Sequence, residues 1–378
     1  MTPRSSTHGL EEEKDPDIYR LLRTLIKLDA SDLHLKVGSP PMIRVNSVVR
    51  PTDGPVLTDR MIEGLIFPIM SEEQRFQYVR KGDLDLAHGI HGEGRFRINV
   101  FRQRGSTSVA IRMVKIKVPT FEQLHLPPIM SRISEYQQGL VILAGITGSG
   151  KSTTIASMID YINQRRACHI VTIEDPIEYL FRDKKAFINQ REIGIDVSDW
   201  TEALRRVVRQ DPDVILVGEM RDVDTFEAGL QASETGHLVF GTLHSSTAPT
   251  TFSRILDLFP EDKHELIRTS LSFNLRAIVC QKLLPSIKKG LGRVPAVEIL
   301  LNTPIVRKLI RERRDSDLAD AMRIGKEDGM QDFTDSLRDL VFNEFIERRV
   351  AFEAAPNVEQ LKMALKGIQV SDSVILNA

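Results

Sequence analysis

The stretch AGITGSGKSTT, residues 144–154, stands directly after the apolar run GLVIL and puts three glycines into eleven positions. Three glycines would weaken an ordinary helix or strand, because glycine loses more backbone freedom on folding than any other residue. Gly145, Gly148 and Gly150, followed by Lys151 and Ser152, match GxxxxGK[ST]. An apolar run before the loop and a helical run after it supply the strand–loop–helix setting that this pattern requires. Bare backbone lets consecutive N–H groups along Gly145, Ile146, Thr147, Gly148, Ser149 and Gly150 point at a phosphate that side chains would keep away. The helix beginning near Ser152 adds the positive end of its dipole. Lys151 can reach the β- and γ-phosphates as a mobile charge, and the Ser152 hydroxyl suits Mg²⁺. Thr153 belongs to the same binding run. The implied ligands are ATP and Mg²⁺.

Such a loop needs acidic partners to hold the metal and position water. Two runs place carboxylates at the ends of expected strands, where ligands of an open α/β sheet bind. DVILVGEMRD puts Glu219 and Asp222 just past a buried run, and TIEDPIE does the same for Glu174, Asp175 and Glu178. Pro176 stops the second strand and fixes its carboxylates at the rim. The plainer alternative for either run is a polar strand end facing solvent. In HLVFGTLH, His237 and His244 mark the two ends of one strand, and a separation of seven residues puts them on opposite faces. They cannot both face one phosphate, and His244, at the C-terminal end, is the better sensor. GRFRINVF sets Arg95, Arg97 and Asn99 on one face and Phe96, Ile98 and Val100 on the other, with Arg104 and Arg112 following. A solvated face explains this pattern. So does a cation donor for phosphoryl transfer carried on a neighbouring element.

The rest of the chain bounds these readings. Of 378 residues, 41% are hydrophobic and 27% charged, and the formal net charge is −1. That is ordinary globular composition, with no broad electrostatic grip on nucleic acid or acidic lipid. Cys168 and Cys280 lie far apart and make no metal spacing, which fits a reducing compartment. No apolar run approaches the roughly 18 residues that span a bilayer, and the polar start has no apolar core of a signal peptide. The chain reads as cytoplasmic. Residues 1–15 read as a disordered tail and 16–113 as a small α+β domain of helices and antiparallel strands. Residues 114–128, with three prolines after 117, read as a linker. From 129 to 302, short apolar runs alternate with helical stretches, as in a mainly parallel sheet. Residues 303–367 read as helical, and 368–378 as a tail without a clear reading.

The boxes ASDLHL, PPMIRV, RFRINVF, GITGSGKSTT, TIEDPIEY, NQREIG, EALRRVVRQDPDVILVGEMRD, ASETGHLVFGTLH and TPIVRKLIRE occur in an order that resembles the PilT-type retraction ATPases of type IV pili. These belong to the secretion-ATPase superfamily, and the resemblance runs over roughly residues 17–366. It implies an α/β fold: a RecA-like P-loop ATPase domain with a smaller α+β PAS-like N-terminal domain and a helical C-terminal extension. It also implies a homohexameric ring, with ATP between the two domains and arginines delivered across subunit interfaces. By the resemblance Glu174 lies in the Asp box, Glu219 in the Walker B box, and His237 and His244 in the His box. Arg97, Arg104 and Arg112 match the arginine set, Arg104 less well because RFRINVFRQRG is one residue shorter than the usual hairpin.

The resemblance favours Glu174 as the base for water, with Glu219 supporting Mg²⁺ beside Ser152. The physics of the residues leaves that choice open. The segment IVRKLIRE keeps Arg307, Leu309, Ile310, Arg311 and Glu312 of the family's retraction motif. The tail from 332 is longer than in the best-known PilT proteins, which points to a PilU-like member. Lack of a paired CxxC insertion argues against the extension and type II secretion ATPases. Implied partners are an inner-membrane pilus platform protein and a paralogous PilT ring, at the cytoplasmic face of the inner membrane at the pilus base. Direct contact with nucleic acid is not expected. The alternatives are an accessory subunit that binds ATP with little turnover, or a motor of the same superfamily serving secretion or DNA uptake.

Overall fold

Strict alternation in GRFRINVF buries Phe96, Ile98 and Val100 and leaves Arg95, Arg97 and Asn99 on the opposite, partly open face. In the computed structural model, which describes residues 17–45 and 48–368, this strand belongs to the first of two units that divide after Ile116. The first unit runs α1 (Ile18–Lys27), β1 (Asp32–Leu35), β2 (Met42–Val45), β3 (Val48–Pro51), α2 (Asp59–Ile66), α3 (Glu72–Lys81), β4 (Asp83–Ile90), β5 (Gly94–Gln103) and β6 (Ser106–Met113). The order is β3-β2-β1-β6-β5-β4, with every pair antiparallel. Leu22 and Leu25 of α1 and Ile62 and Ile66 of α2 are fully buried in the same core as Phe96. Thr58 caps α2 by accepting from the Met61 N–H at 3.3 Å. Ser71 and Gln74 close a reciprocal box at the start of α3.

The second unit begins at Lys117. Its elements are α4 (Ile129–Ser134), β7 (Gly139–Ala144), α5 (Lys151–Arg165), β8 (His169–Glu174), β9 (Phe187–Glu192), α6 (Trp200–Val207), β10 (Val214–Val217), α7 (Val223–Glu234), β11 (Leu238–Leu243), α8 (Ala248–Leu256) and α9 (His264–Asn274). They continue with β12 (Leu275–Pro285), β13 (Arg293–Leu301), α10 (Pro304–Arg311), α11 (Leu318–Ile324), α12 (Phe333–Phe342), α13 (Arg348–Ala354) and α14 (Val358–Leu365). The sheet order is β13-β12-β7-β11-β10-β8-β9, parallel except for the β12–β13 hairpin. Every residue of β7, β10 and β11 is buried. That explains why these runs carry no alternation, since both of their faces meet protein.

The stretch read as a linker is not a free tether over its second half. Phe121 and Leu126 are each only 7% exposed and pack into the core of the second unit. The Ser157 hydroxyl donates to the Pro119 carbonyl at 2.7 Å. Prolines suppress helical and strand periodicity here, but two apolar side chains still anchor the segment. The tails expected at 1–15 and, beyond Ile368, at 369–378 lie outside the described residues.

Candidate nucleotide site

Parallel order puts the C-terminal ends of β7, β8, β10 and β11 along one edge of the sheet. The glycine loop follows β7 and turns into α5 at Lys151, with Gly150 at the cap in the left-handed region, φ +95°. Two glycines are there because of close approach. A Cβ on Gly145 would stand 2.4 Å from Ser149 Oγ and 2.6 Å from the Gln281 carbonyl. One on Gly150 would stand 2.6 Å from Gln281 Nε2. Lys151 Nζ donates to the carbonyls of Gly145 at 2.7 Å and Ile146 at 3.1 Å. Ser152 Oγ donates to Glu178 Oε1 at 3.0 Å, and Thr153 Oγ1 lies 3.0 Å from the Tyr179 hydroxyl. Ser149 is buried and its hydroxyl has no hydrogen-bond partner.

The loop opens onto a cleft of about 300 Å³ that brings Lys151, Ser152, Glu174, Glu178, Glu219, Arg221 and His244 together. The two expected carboxylates sit in opposite electrostatic settings. Glu219 accepts from Arg221 at 2.6 Å and lies 3.1 Å from His244 Nε2. Burial alone would raise its pKa, but Arg221, His244 and Lys151 together hold it below the ordinary glutamate value. Glu174 has only neutral side-chain partners, Thr172 Oγ1 donating at 2.6 Å and Gln190 Nε2 at 3.1 Å. Burial pushes its pKa up to about 7, against these hydrogen bonds. Burial lowers the pKa of Lys151, while the nearby Glu219 and Glu178 act to keep it charged.

Other sequence candidates fall elsewhere. His237 precedes β11 and its Nδ1 lies 2.9 Å from the Ala232 carbonyl, at the end of the strand away from the cleft. The six residues of β11 stand between the two histidines, roughly 20 Å of strand, so only His244 reaches the cleft. Asp222 caps α7, accepting from the Thr225 N–H at 2.9 Å. In the first unit Arg97 and Arg112 are direct cross-strand neighbours, and Arg112 Nε donates to Asp32 Oδ1 at 2.8 Å. Arg104 occupies the β5–β6 turn with φ +52°. Thr172, Gln190, Arg221 and Gln281 escaped the sequence reading. Arg221 carried a signal, standing two residues from Glu219. So did Gln281, a lone amide inside the apolar run RAIVCQ.

The model of the family "Type II/IV secretion system protein" matches residues 83–291. The chain is 43% identical to the type IV pilus retractation ATPase PilT of Pseudomonas aeruginosa over 339 residues, 90% of this chain and 98% of that protein. It is 37% identical to the type IV pilus ATPase PilU of the same organism over 357 residues, 94% of this chain and 93% of that protein. A crystal structure of the pilus retraction motor PilT with bound ADP superposes with a TM-score of 0.83 at 43% identity, covering 91% of this chain and 98% of that one. The Legionella pneumophila ATPase DotB follows with a TM-score of 0.75 at 25% identity, over 93% of this chain and 96% of that one. These matches agree with a glycine loop, its lysine and two carboxylates gathered at one edge of a parallel sheet, and the chain belongs to the type II/IV secretion system protein family as a PilT/PilU-type pilus ATPase.

Proposed function

We propose that this chain is a motor subunit that hydrolyses ATP to power type IV pilus retraction, working as a homohexamer. The observation that carries the reading is the paired setting of the carboxylates beside the glycine loop: Glu219 held ionised, Glu174 titrating near neutrality. Environments that push two acids apart are how one site assigns different jobs to them. Glu174, with a pKa of about 7, matches the requirement for a general base at cellular pH. It takes the proton from the water that attacks the γ-phosphorus, while the bond from that phosphorus to the bridging oxygen breaks and ADP leaves. Lys151 moves from its loop carbonyls to the β- and γ-phosphates, and His244 senses the γ-phosphate beside Glu219.

Among the described residues no group of three or more His, Cys, Asp or Glu could hold a metal alone. That suits Mg²⁺, which keeps several waters and shares protein ligands with substrate phosphates. Ser152 would hold it, with Glu219 and Glu174 in its surroundings. Bound there, Mg²⁺ would neutralise charge on the phosphates. A second hollow, on the Gln281 side of the loop, is walled by Leu124, Leu126, Leu283, Leu291 and Arg293 and would take the base. Arg97 and Arg112, with Arg104 at their turn, would supply cations to a neighbouring subunit's site. No helix among the described residues is long and apolar enough to cross a membrane. In this reading a platform protein is the partner that places the chain at the cytoplasmic face of the inner membrane.

A second reading draws on the alignment with PilU, which spans more of this chain than that with PilT. In it the chain stacks on a PilT ring and assists it. Steady-state ATP hydrolysis by the purified hexamer, beside Lys151→Ala and with or without a PilT ring, separates the two. Turnover by the protein alone, lost in the variant, supports the motor. Nucleotide binding with turnover only in the presence of the partner ring sinks the autonomous reading in favour of the accessory one.

A further inference from the structure

Gln281 lies on β12, whose preceding residue Cys280 pairs with Ala144 at the end of β7, so its side chain stands beside the base of the glycine loop. It is only 5% exposed. Its Nε2 donates to the Ser149 carbonyl at 2.8 Å, and its Oε1 accepts from Thr154 Oγ1 at 2.8 Å. Thr154 is itself buried, in the first turn of α5. The two bonds fix the amide in one orientation, because only the nitrogen can donate to a carbonyl. Gln281 also sets the chemistry of both ends of the loop: its backbone carbonyl excludes a Cβ at Gly145, and its Nε2 excludes one at Gly150.

We infer that Gln281 is a positioning residue that aims the glycine loop at the β-phosphate. The inference rests on the nucleotide reading above. The Ser149–Gly150 peptide is trans, the one cis bond among the described residues being Asp175–Pro176. In a trans peptide the carbonyl and the N–H point in opposite directions. A donor that holds the Ser149 carbonyl toward β12 therefore turns the Gly150 N–H away from β12, into the hollow of the loop. Thr154 pins that donor to α5, so the loop and the helix end that face the phosphates are set as one piece. Without the amide, the Ser149 carbonyl is a buried acceptor with no partner, and the peptide gains by rotating to find one. Rotation takes the Gly150 N–H off the phosphate.

The test uses the full-length hexamer with ADP and AMP as probes, each read by displacement of a fluorescent nucleotide. Gln281→Met keeps the length of the side chain and removes both hydrogen bonds. Its ADP affinity should fall by about ten- to a hundredfold, the range for an orphaned buried acceptor. AMP, which has no β-phosphate and shares only the hollow that Gln281 lines, should weaken far less than ADP. A merely structural role would lower both alike. Equal losses, or an ADP affinity within twofold of wild type in a folded hexamer, would overturn the inference. If Gln281→Met does not assemble, Thr154→Val removes the pin and spares the bond to Ser149. ADP should then weaken severalfold, and no change would count against the inference. A wild type that binds ADP no better than Lys151→Ala would instead refute the nucleotide reading itself, whatever Gln281 does.

Discussion

Glu174→Gln should make this protein both more stable and inactive. The change keeps size and shape, and the amide oxygen can still accept from Thr172 and Gln190. What it removes is a titration. In the folded protein the Glu174 pKa is raised from 4.5 to about 7. Between those values the unfolded chain has released the proton and the folded one retains it, so stability falls as pH rises. It is fully present below about pH 4.5 and has been lost once pH passes about 7. At about 1.4 kcal/mol per unit, the full effect is about 3 kcal/mol. Gln cannot ionise and escapes it. The variant should match wild type within about 1 kcal/mol at pH 5 and exceed it by about 3 kcal/mol at pH 8. For a unit of this size that is about 6 °C or more in melting temperature. Calorimetry of the nucleotide-free protein at the two pH values reads it. Turnover should fall by about 10² to 10⁴, the usual worth of a general base. If the gain at pH 8 is no larger than at pH 5, burial is not what sets this carboxyl. If turnover stays within tenfold, Glu174 is not the base and the role passes to Glu219.

Further outcomes follow from the same geometry. Glu219→Gln removes the charge facing Arg221, His244 and Lys151, and should raise the Mg²⁺ needed for half-maximal turnover by about tenfold or more; an unchanged requirement on Mg²⁺ titration would detach Glu219 from the metal. Arg97→Ala and Arg112→Ala should each cost about 10³ in turnover if they act as fingers. Rings mixed from Arg97→Ala and Lys151→Ala subunits should then regain activity, because an intact arginine from one would face an intact loop in the other; mixtures as dead as their parents would remove the trans reading. At pH 5, where burial's rise of its pKa to about 7 costs little, Glu298→Ala should lower the melting temperature by several degrees without touching the cleft. It strips the acceptor from the Ala248 N–H, now at 2.6 Å, and from the Phe333 N–H, at the starts of α8 and α12. A variant that melts with wild type would show that those two helix starts find other partners.

What could be read from the chain beforehand divides by physical cause. The glycine loop was legible because close approach to Gln281 forces glycine at fixed positions, and so leaves a pattern. The central strands β7, β8, β10 and β11 were legible as uninterrupted apolar runs. The antiparallel strands of the first unit showed through their alternation. Strand β9 escaped because it lies on a sheet edge, where Phe187 is 57% exposed and four polar residues follow Ile188. β12 and β13 drew no reading: Arg276, Gln281 and Lys282 break the first run and Glu298 the second, and short apolar runs alone do not separate a buried helix from a strand. Carboxylates at strand ends were visible as letters. Their charge states were not, since these depend on burial, which raises the Glu174 pKa, and on how Arg221, His244 and Lys151 are brought round Glu219. His237 shows the converse: a box can group two histidines that the length of a strand then sets at opposite edges of the sheet.

The charge states also bear on whether the chain works alone. A subunit that only binds nucleotide needs the cradle, Lys151 and Ser152. It gains nothing from a carboxyl held near neutrality, because that carboxyl costs stability at cellular pH. Here burial sets the cost, and specific contacts hold the acid in place against it. Gln190, from the edge strand β9, donates both to Glu174 Oε1 and, at 2.8 Å, to the Tyr179 carbonyl, tying the acid to the segment that carries Glu178. Tyr179 in turn meets Thr153 of the loop. The base and the loop are thus linked through Gln190, Tyr179 and Thr153, while Arg221, His244 and Lys151 gather around Glu219. Burial raises the Glu298 pKa to about 7 as well, but of the two only Glu174 stands inside the cleft, opposite an acid held ionised by Arg221, His244 and Lys151, and that pairing suits proton transfer. On that ground turnover by the isolated hexamer is the expected result, and a protein that binds ATP tightly but shows no activity from pH 6 to 9 would mean that the tuned pair serves something other than hydrolysis.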